Sequence, residues 1–533
     1  MELLKRIKLS KKRKNSGEQK LSKLSKLMMS AGLGAMLAFG AGHALAGKAD
    51  DTLNWSTNRE IAVIDPYFNN TRELVVMGHM GWDGLVFRNI DTGAFEPLLG
   101  KSWEWVDDKT LDFVLRDDVK FHDGSAFDAD DVVYTLNFVS NEDNGVLTYR
   151  NVSWVGSAEK LGDHKVRINL KKPFPPALAY LANAVFMVPS GHYDSAPDKA
   201  DGNKDFAAVA PVGTGPYKVT DSKAGEFVLM EKNADYMSGS PKGTPQIGKM
   251  KFRTISEVNT QLAELLTGGL DWIWDVPKDQ AERLEGNPAL SIENAKTFRI
   301  SYMAFDVDGD SGTDVFTKKK VRQAISHAIN RESIATNLVG PASEVIHSAC
   351  HPDQFGCIQD VPKYEYDPEK AKALLAEAGY PDGFEFDIYG YRQREFTEAV
   401  IGDLAKIGVK AKLNWLQYRA LRDIVRKGQT PVNHMTWGSY SIPDVSAIVS
   451  HFFTHGPDDP AKDDETKGYL DIADNTLDEE KRLEFYRKAF TRIADEAYWL
   501  PMFTYAKYYA FSKDLDFKAT PDEIPRFYSA KWK

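Results

Sequence analysis

The sequence predicts an α/β fold with more than one lobe. Short segments alternate apolar and polar residues, longer segments repeat apolar residues at the spacing of a helix face, and the two kinds of segment follow each other along the chain. At 533 residues the chain is long enough for more than one compact unit. Small ligands usually bind in clefts between such units, so we expect a ligand site between the lobes.

Two early segments have the pattern of half-buried strands. Apolar residues occupy every second position in 111–115 and in 166–170. Because successive side chains of a strand point to opposite faces, this alternation indicates one buried and one exposed face. We place both strands in a sheet-bearing region between residues 85 and 210.

Three later segments, 256–269, 318–330 and 367–379, have the pattern of amphipathic helices. Their apolar faces consist of Val258, Leu262, Leu265 and Leu266 in the first, Val321, Ala324, Ile325, Ala328 and Ile329 in the second, and Ala371, Leu374, Leu375 and Ala378 in the third. The third has the most complete start signals, since Asp367 can cap its first turn and Pro368 fits that turn. We interpret all three as scaffold.

The first 46 residues have the composition of an export signal. They contain ten Lys/Arg and two Glu, a charge of +8, which leaves −18 of the total of −10 for the rest of the chain. A short apolar run at 27–39 and the small-x-small sequence 44–46 follow, so we expect a signal peptide at 1–46, cleaved before Gly47. An uncleaved anchor is the alternative, but the run is shorter than the ~20 residues that cross a bilayer. We therefore expect a periplasmic protein.

The two cysteines, Cys350 and Cys357, lie close together in the sequence. In an oxidising compartment such a pair most simply forms a disulfide that closes a small loop. A metal site is the alternative, since His347 and His351 flank Cys350, but their spacing does not fit a zinc finger and oxidised cysteines offer no thiolate. We expect the disulfide and no metal.

Two other classes of function find no support in the sequence. Residues 47–533 carry a net negative charge, which argues against a nucleic-acid partner, because phosphate binding needs clustered Lys/Arg. A periplasmic hydrolase is the enzymatic alternative, but the chain has neither a Gly-x-Ser-x-Gly nor a His-Glu-x-x-His motif. We therefore predict no catalytic residue and no enzyme activity.

Several motifs, in order along the chain, resemble those of a known family. They lie at 64–66, 82–86, 97–134, 212–217, 266–271, 321–325, 366–383 and 406–409. The closest match is LRDDVKFHDGSAFDADDVVY at residues 115–134. With these motifs the chain resembles the family 5 solute-binding proteins of ABC importers, which include dipeptide-, oligopeptide- and nickel-binding proteins.

The resemblance implies a periplasmic binding protein-like fold of two lobes with an inserted third domain and the ligand in the cleft between the lobes. We expect domain I at 47–84, 212–300 and 509–533, domain II at 85–211, and domain III at 301–508. The implied function is to capture a peptide or peptide-like solute by lobe closure and to deliver it to the importer's membrane permease. The implied protein is a monomer without a cofactor. A non-peptide solute is the alternative: an opine, an oligosaccharide, haem or a nickel chelate.

One part of the ligand site departs from the family pattern. Peptide-binding members carry an acidic side chain after a Gly-Trp-type motif, where it pairs with the amino terminus of the ligand. Here Trp437 matches the motif, but Ser439 or Tyr440 occupies the position of the acid, and Asp444 is the nearest carboxylate. A buried ligand charge needs an opposite charge, so this departure leaves the ligand open.

Other candidate ligand residues are basic or aromatic. Arg392 or Arg394 follows the predicted strand 384–388, where the resemblance places an arginine for the ligand carboxylate; solvated loop charges are the alternative. Trp415 or Tyr418 falls where the family has an aromatic side chain facing the ligand. Trp437 and Tyr440 could line the same cleft, and packing in the core is the alternative for all four rings.

Overall fold

The computed structural model of the chain describes residues 47–533. The predicted signal peptide at 1–46 lies outside the described residues. Among the helices of 47–533, none has the length and apolar character needed to cross a membrane.

Strands of the described residues form one large sheet and three small ones. In chain order they are β1 Thr52–Thr57, β2 Val86–Arg88, β3 Phe95–Pro97, β4 Gly100–Asp107, β5 Thr110–Leu115, β6 Val155–Gly162, β7 Lys165–Leu170, β8 Tyr217–Lys223, β9 Phe227–Lys232, β10 Lys249–Thr254, β11 Trp272–Ile273, β12 Leu290–Phe305, β13 Glu385–Gly390, β14 Lys410–Trp415, β15 Val432–Trp437, β16 Trp499–Ser512, β17 Leu515–Asp516 and β18 Lys531–Trp532. The large sheet has the order β14-β13-β15-β12-β16-β11-β1-β10-β9-β8. The small sheets are β4-β5-β7-β6, β2-β3 and β17-β18. The two predicted strands are confirmed as β5 and β7.

Helices alternate with these strands, as the α/β prediction requires. In chain order they are α1 Arg72–Gly81, α2 Ala129–Val139, α3 Ala177–Asn183, α4 Val258–Thr267, α5 Lys278–Leu284, α6 Lys319–Ala328, α7 Arg331–Ile334, α8 Pro368–Glu377, α9 Arg394–Ala405, α10 Tyr418–Val425, α11 Ser446–Phe452, α12 Asp464–Asp474 and α13 Glu479–Asp495. The predicted helices are confirmed as α4, α6 and α8. Asp367 caps α8 as predicted, because its side chain accepts a hydrogen bond from the Lys370 amide.

The predicted buried face of α4 is wrong at one position. Leu262 and Leu265 are buried, but the side chain of Leu266 is 52% exposed. Adjacent helix positions point about 100° apart. Since Leu265 already faces the core, its neighbour turns toward solvent.

The large sheet has two halves, one with β13, β14 and β15 and the other with β1 and β8 to β11, and strands β12 and β16 run through both. They have 16 and 14 residues, whereas a usual strand has about five or six. The first part of β12 pairs with β16 alone, and residues 300–305 pair with β15 as well. Between Lys296 and Ile300 the register of the β12–β16 ladder shifts. Such an irregularity bends a ladder, and here it lies where the two halves meet.

Buried apolar side chains gather in three regions of the chain. One cluster draws mainly on residues 67–193. Two clusters lie within 300–505, and two combine 53–290 with 508–530. The regions follow the sheets, since the first cluster surrounds the four-stranded sheet and the others cover the two halves of the large sheet.

The motif segment 212–217 packs directly on the end of α1. A Cβ atom on Gly213 would lie 2.1 Å from the carbonyl oxygen of Gly81, and one on Gly215 would lie 2.4 Å from the carbonyl oxygen of Met80. The ring Nε2 of His122 lies 3.0 Å from the Gly215 carbonyl oxygen. The glycines are therefore needed for close approach of two backbones, and His122 has a structural contact there.

The disulfide prediction is confirmed. Cys350 and Cys357 are bonded, with their Cα atoms 5.7 Å apart. His351 beside them is buried, and burial lowers the pKa of its imidazole to about 4.

Candidate ligand-binding cavity

A cavity of about 500 Å³ lies between the halves of the large sheet and the inserted small sheet. Its lining comes from residues 59–75 around α1, from 147–151 and 183–186 in the inserted region, and from positions between 299 and 440 in the other half. This volume is within the usual range of small-ligand sites, about 300–1,000 Å³. The cavity is therefore the main candidate for the ligand site.

A smaller cavity of about 200 Å³ lies beside Asp306, Asp458 and Asp459. Asp306 accepts hydrogen bonds from three backbone amides, and so does Asp459. Asp458 pairs with Arg422, with 2.7 Å between Oδ2 and Nη2. Because these carboxylates already have partners, this cavity is a weaker candidate than the larger one.

Half of the predicted ligand residues line the larger cavity. These are Arg392, Tyr418, Trp437 and Tyr440. The cavity lining does not include the other four, Arg394, Trp415, Ser439 and Asp444. Direct contact with a ligand stays a prediction for all eight residues.

The side chains of the two candidate arginines, Arg392 and Arg394, have different surroundings. The Arg392 guanidinium lies over the ring of Tyr391, with Cζ 5.9 Å from the ring centroid, and that ring lies 5.1 Å from the ring of Tyr418. Arg394 begins α9 and pairs with Glu398, with 2.7 Å between Nε and Oε1. More than half of the Arg394 side chain is exposed. The first arginine thus belongs to the aromatic wall of the cavity, and the second to the helix surface.

Asp444 does not replace the missing acid in the cavity. It is buried, and Arg482 Nη2 lies 2.9 Å from its Oδ2 and 3.0 Å from its Oδ1. The backbone amide and the hydroxyl of Ser446 also donate to Oδ1. The carboxylate is therefore neutralised inside the protein and turned away from the cavity.

The backbone between Trp437 and Asp444 has an unusual conformation. Ser439, Tyr440 and Ser441 have φ angles of 48°, 52° and 64°, a left-handed run without glycine. The run brings the ring of Tyr440 to the cavity, while the Ser439 side chain is buried elsewhere. Such strain costs on the order of 1–3 kcal/mol for each residue and is common at ligand sites.

Sequence reasoning missed four arginines of the cavity: Arg59, Arg72, Arg150 and Arg299. They lie far apart in the sequence and belong to no motif. Arg299 lies in the segment where the β12–β16 register shifts. Only the tertiary fold brings them together, so no local pattern signals them.

Two of these arginines share one buried carboxylate. Glu523 Oε2 lies 3.1 Å from Arg299 Nη2 and 3.6 Å from Arg72 Nη2, and its Oε1 lies 3.2 Å from Lys507 Nζ. Burial alone raises the pKa of Glu523, but these three cations together with Arg392 outweigh burial and hold the pKa well below its usual range. Of these three cations, Lys507 also pairs with Asp275 at 3.1 Å, so Arg72 and Arg299 depend on Glu523.

Arg150 is linked to the other half through a histidine. Its Nη1 contacts Nδ1 of His451, and His451 Nε2 lies 3.0 Å from Asp458 Oδ2. Burial lowers the pKa of His451 to about 4, so the ring is neutral at pH 7 and Nδ1 can accept from the guanidinium. The ring also stacks on Trp437, with centroids 4.6 Å apart. Arg150 thus connects the inserted region to the far wall of the cavity.

Comparison with known proteins decides the family. Residues 94–459 match the model of the bacterial extracellular solute-binding proteins, family 5 Middle. The chain is a family 5 solute-binding protein. The match confirms the resemblance that the sequence motifs indicated.

Relatives of this family 5 protein cover most of its length. It is 27% identical over 505 residues to the glutathione-binding protein GsiB of Salmonella typhimurium, spanning 91% of this chain and 94% of that protein. It is 27% identical over 441 residues to heme-binding protein A of Haemophilus influenzae, spanning 76% and 78%. A solved dipeptide binding protein from Pseudoalteromonas sp. SM9913, in complex with Met-Leu, superposes with a TM-score of 0.76 at 23% identity, over 90% of this chain and 100% of that one. The predicted periplasmic binding protein fold is confirmed.

Proposed function

We propose that this family 5 protein is the substrate-binding component of an ABC importer and captures a peptide or peptide-like solute. The cavity of about 500 Å³, lined from both halves of the large sheet and from the insertion, carries the proposal. A solute that contacts both sides binds the closed form better than the open one. Only such a difference in affinity can shift the protein toward closure.

The names of the relatives support a peptide-like solute. GsiB is described as glutathione-binding, and the structure from Pseudoalteromonas contains a dipeptide. A non-peptide solute is the second candidate. Ser439 or Tyr440 stands where peptide-binding members carry the acid for the amino terminus, and one relative is described as heme-binding. In either case the protein is a binder that releases its solute unchanged, rather than an enzyme.

Closure of this kind needs separate domains, and we propose the boundaries given above. Domain I comprises 47–84, 212–300 and 509–533, domain II comprises 85–211, and domain III comprises 301–508. The three regional groups of core clusters support this division, since each group draws mainly on one of these domains. The irregular part of β12 and β16 would be the hinge.

We also propose that the protein works in the periplasm as a monomer. The basic leader with its apolar run supports export, and the disulfide between Cys350 and Cys357 suits an oxidising compartment. The matching partner is the permease of the importer. Cleavage before Gly47 would be tested by determining the amino terminus of the exported protein.

The function is tested on full-length protein that is exported by a bacterial host and released from the periplasm without denaturant. Native mass spectrometry should show a bound solute, and removing it should leave protein that a peptide mixture stabilises against heat. A free solute concentration of 100 times the dissociation constant should raise the free energy of unfolding by about 2.7 kcal/mol. Absence of any bound or stabilising solute, or sustained turnover of ester or peptide substrates, would contradict the proposal.

A further inference from the structure

We propose that the cavity selects solutes that carry two or more acidic groups and that it does not require a free amino terminus. The inference rests on the proposed function, because it names the class of solute for the same cavity. The balance of charge in the lining, the separation of its cations and the unpartnered donors point to this class.

The lining is rich in cations and holds no acid. Five arginines line the cavity: Arg59, Arg72, Arg150, Arg299 and Arg392. Of the aspartates and glutamates in residues 47–533, none is part of the lining. This composition gives the cavity an excess of positive charge, which favours solutes that carry the opposite charge.

Protein carboxylates compensate only part of this charge. Glu523, behind the lining, pairs with Arg72 and Arg299, and it also pairs with Lys507. Arg59, Arg150 and Arg392 have no carboxylate of the described chain within 4.0 Å. At least three positive charges are therefore available to a solute.

These cations occupy two different places. Arg299 donates to the hydroxyl of Thr436 at 3.2 Å, and the hydroxyl of Tyr391, beside Arg392, lies 2.7 Å from the same oxygen. Arg150 instead lies over the ring of Tyr440, with Cζ 5.4 Å from its centroid. One acidic group near Thr436 and a second near Tyr440 would each meet a guanidinium, which binds carboxylate or phosphate through paired hydrogen bonds.

Unpartnered donors in the lining point to the same chemistry. Asn183 is 4% exposed, and its Nδ2 has no hydrogen-bond partner in the described part of the chain. The same holds for Nε of Arg299 and for the hydroxyl of Thr148. Buried donors without acceptors cost free energy, so oxygen atoms of an acidic solute would satisfy them.

A free amino terminus has no anionic partner in this lining. The nearest candidate, Asp444, is neutralised by Arg482 and lies outside the cavity lining. An acetylated amino terminus should therefore be accepted as well as a free one. This separates the proposed selectivity from recognition of ordinary peptides by their two ends.

The experiment presents purified, solute-free protein with an equimolar library of tripeptides, each in free and N-acetylated form. Retained peptides are identified by mass spectrometry after unbound ones are removed. We expect peptides with two or more Asp or Glu to be enriched about tenfold or more over neutral ones, in both forms. Retention without this preference, or only of free amino termini, would overturn the inference and leave the binding function intact. Retention of nothing would overturn the peptide function itself.

A variant test uses the same library. The double variant Arg150→Gln with Arg392→Gln removes one cation from each place, and both side chains reach solvent, so folding should be kept. We expect its enrichment of acidic peptides to fall about tenfold or more. Arg487→Gln is the matched control, because Arg487 is exposed on α13 and is not part of the cavity lining. Equal enrichment in both variants would contradict the assignment, and circular dichroism checks their fold.

Discussion

Arg482 holds the carboxylate of Asp444 away from the cavity. Its Nη2 contacts both carboxylate oxygens, at 2.9 and 3.0 Å, and both side chains are buried. The same guanidinium lies over the ring of Phe355 at 4.7 Å. The only acid near the family's amino-terminus motif is thereby committed to the fold of its own region.

This ion pair should be needed for stability. Arg482→Met leaves the Asp444 carboxylate buried without a counter-charge, so we expect a loss of about 3–5 kcal/mol. Urea unfolding measures it. Adding Asp444→Asn should recover part of the loss, because the uncompensated charge is removed. Equal losses in the single and double variants would mean that packing, and not charge, makes Arg482 important.

A buried histidine should make stability fall in mild acid. His434 contacts the hydroxyls of Ser301 and Thr397 at 2.8 and 2.9 Å, and burial lowers its pKa to about 4. Its contribution is fully present above the unfolded pKa of about 6.5 and is lost as the pH falls from there to the folded pKa. Between pH 7 and pH 5 this loss is about 2 kcal/mol.

The matched variants for this prediction are His434→Gln and His455→Gln. Urea unfolding at pH 7 and pH 5 should show a smaller pH dependence for the first, by about 2 kcal/mol. The second replaces a partly exposed histidine and serves as the control for the substitution itself. The same pH dependence in all three proteins would show that His434 titrates normally.

The close contact between Gly213 and the end of α1 should tolerate no side chain at position 213. Gly213→Ala places a Cβ atom 2.1 Å from the Gly81 carbonyl oxygen, and we expect a loss of about 3 kcal/mol or more. Gly402→Ala is the control, because nothing lies within 4 Å of a Cβ atom at that position in α9. It should stabilise the protein by about 0.5–1 kcal/mol. Equal thermal midpoints for the two variants would refute the steric argument.

Substitutions of the two candidate arginines should have different effects on the affinity for a solute. Arg392→Gln should weaken an acidic solute about tenfold or more, because its guanidinium faces the cavity. Arg394→Gln should change affinity less than about twofold, since its partner is Glu398 on the helix surface. Titration calorimetry with a retained acidic peptide measures both. A larger effect at Arg394 would reverse the assignment.

Local signals made the scaffold predictable. The capping aspartate Asp367, the alternation in 111–115 and the closely spaced cysteines each act over a few residues. Leu266 was misplaced because periodicity could not tell which of two adjacent leucines faces the core. The family motifs supplied the periplasmic binding protein-like fold, which no local pattern contains.

The charge of the site was not predictable in this way. Arg59, Arg150 and Arg299 meet only because three separate parts of the chain fold around one cavity. Whether Asp444 faces a ligand depends on Arg482, 38 residues later in the sequence. Long-range packing decides both questions, and a single sequence does not record it.

The arginines of the cavity come from both sides of the irregular segment of β12 and β16. When no guest is present, like charges on the opposed walls repel each other and favour an open protein. An entering polyanion reverses the sign of this interaction, so the walls are drawn together by the molecule they enclose. A permease that recognises only the closed form would then not start a transport cycle with solute-free protein.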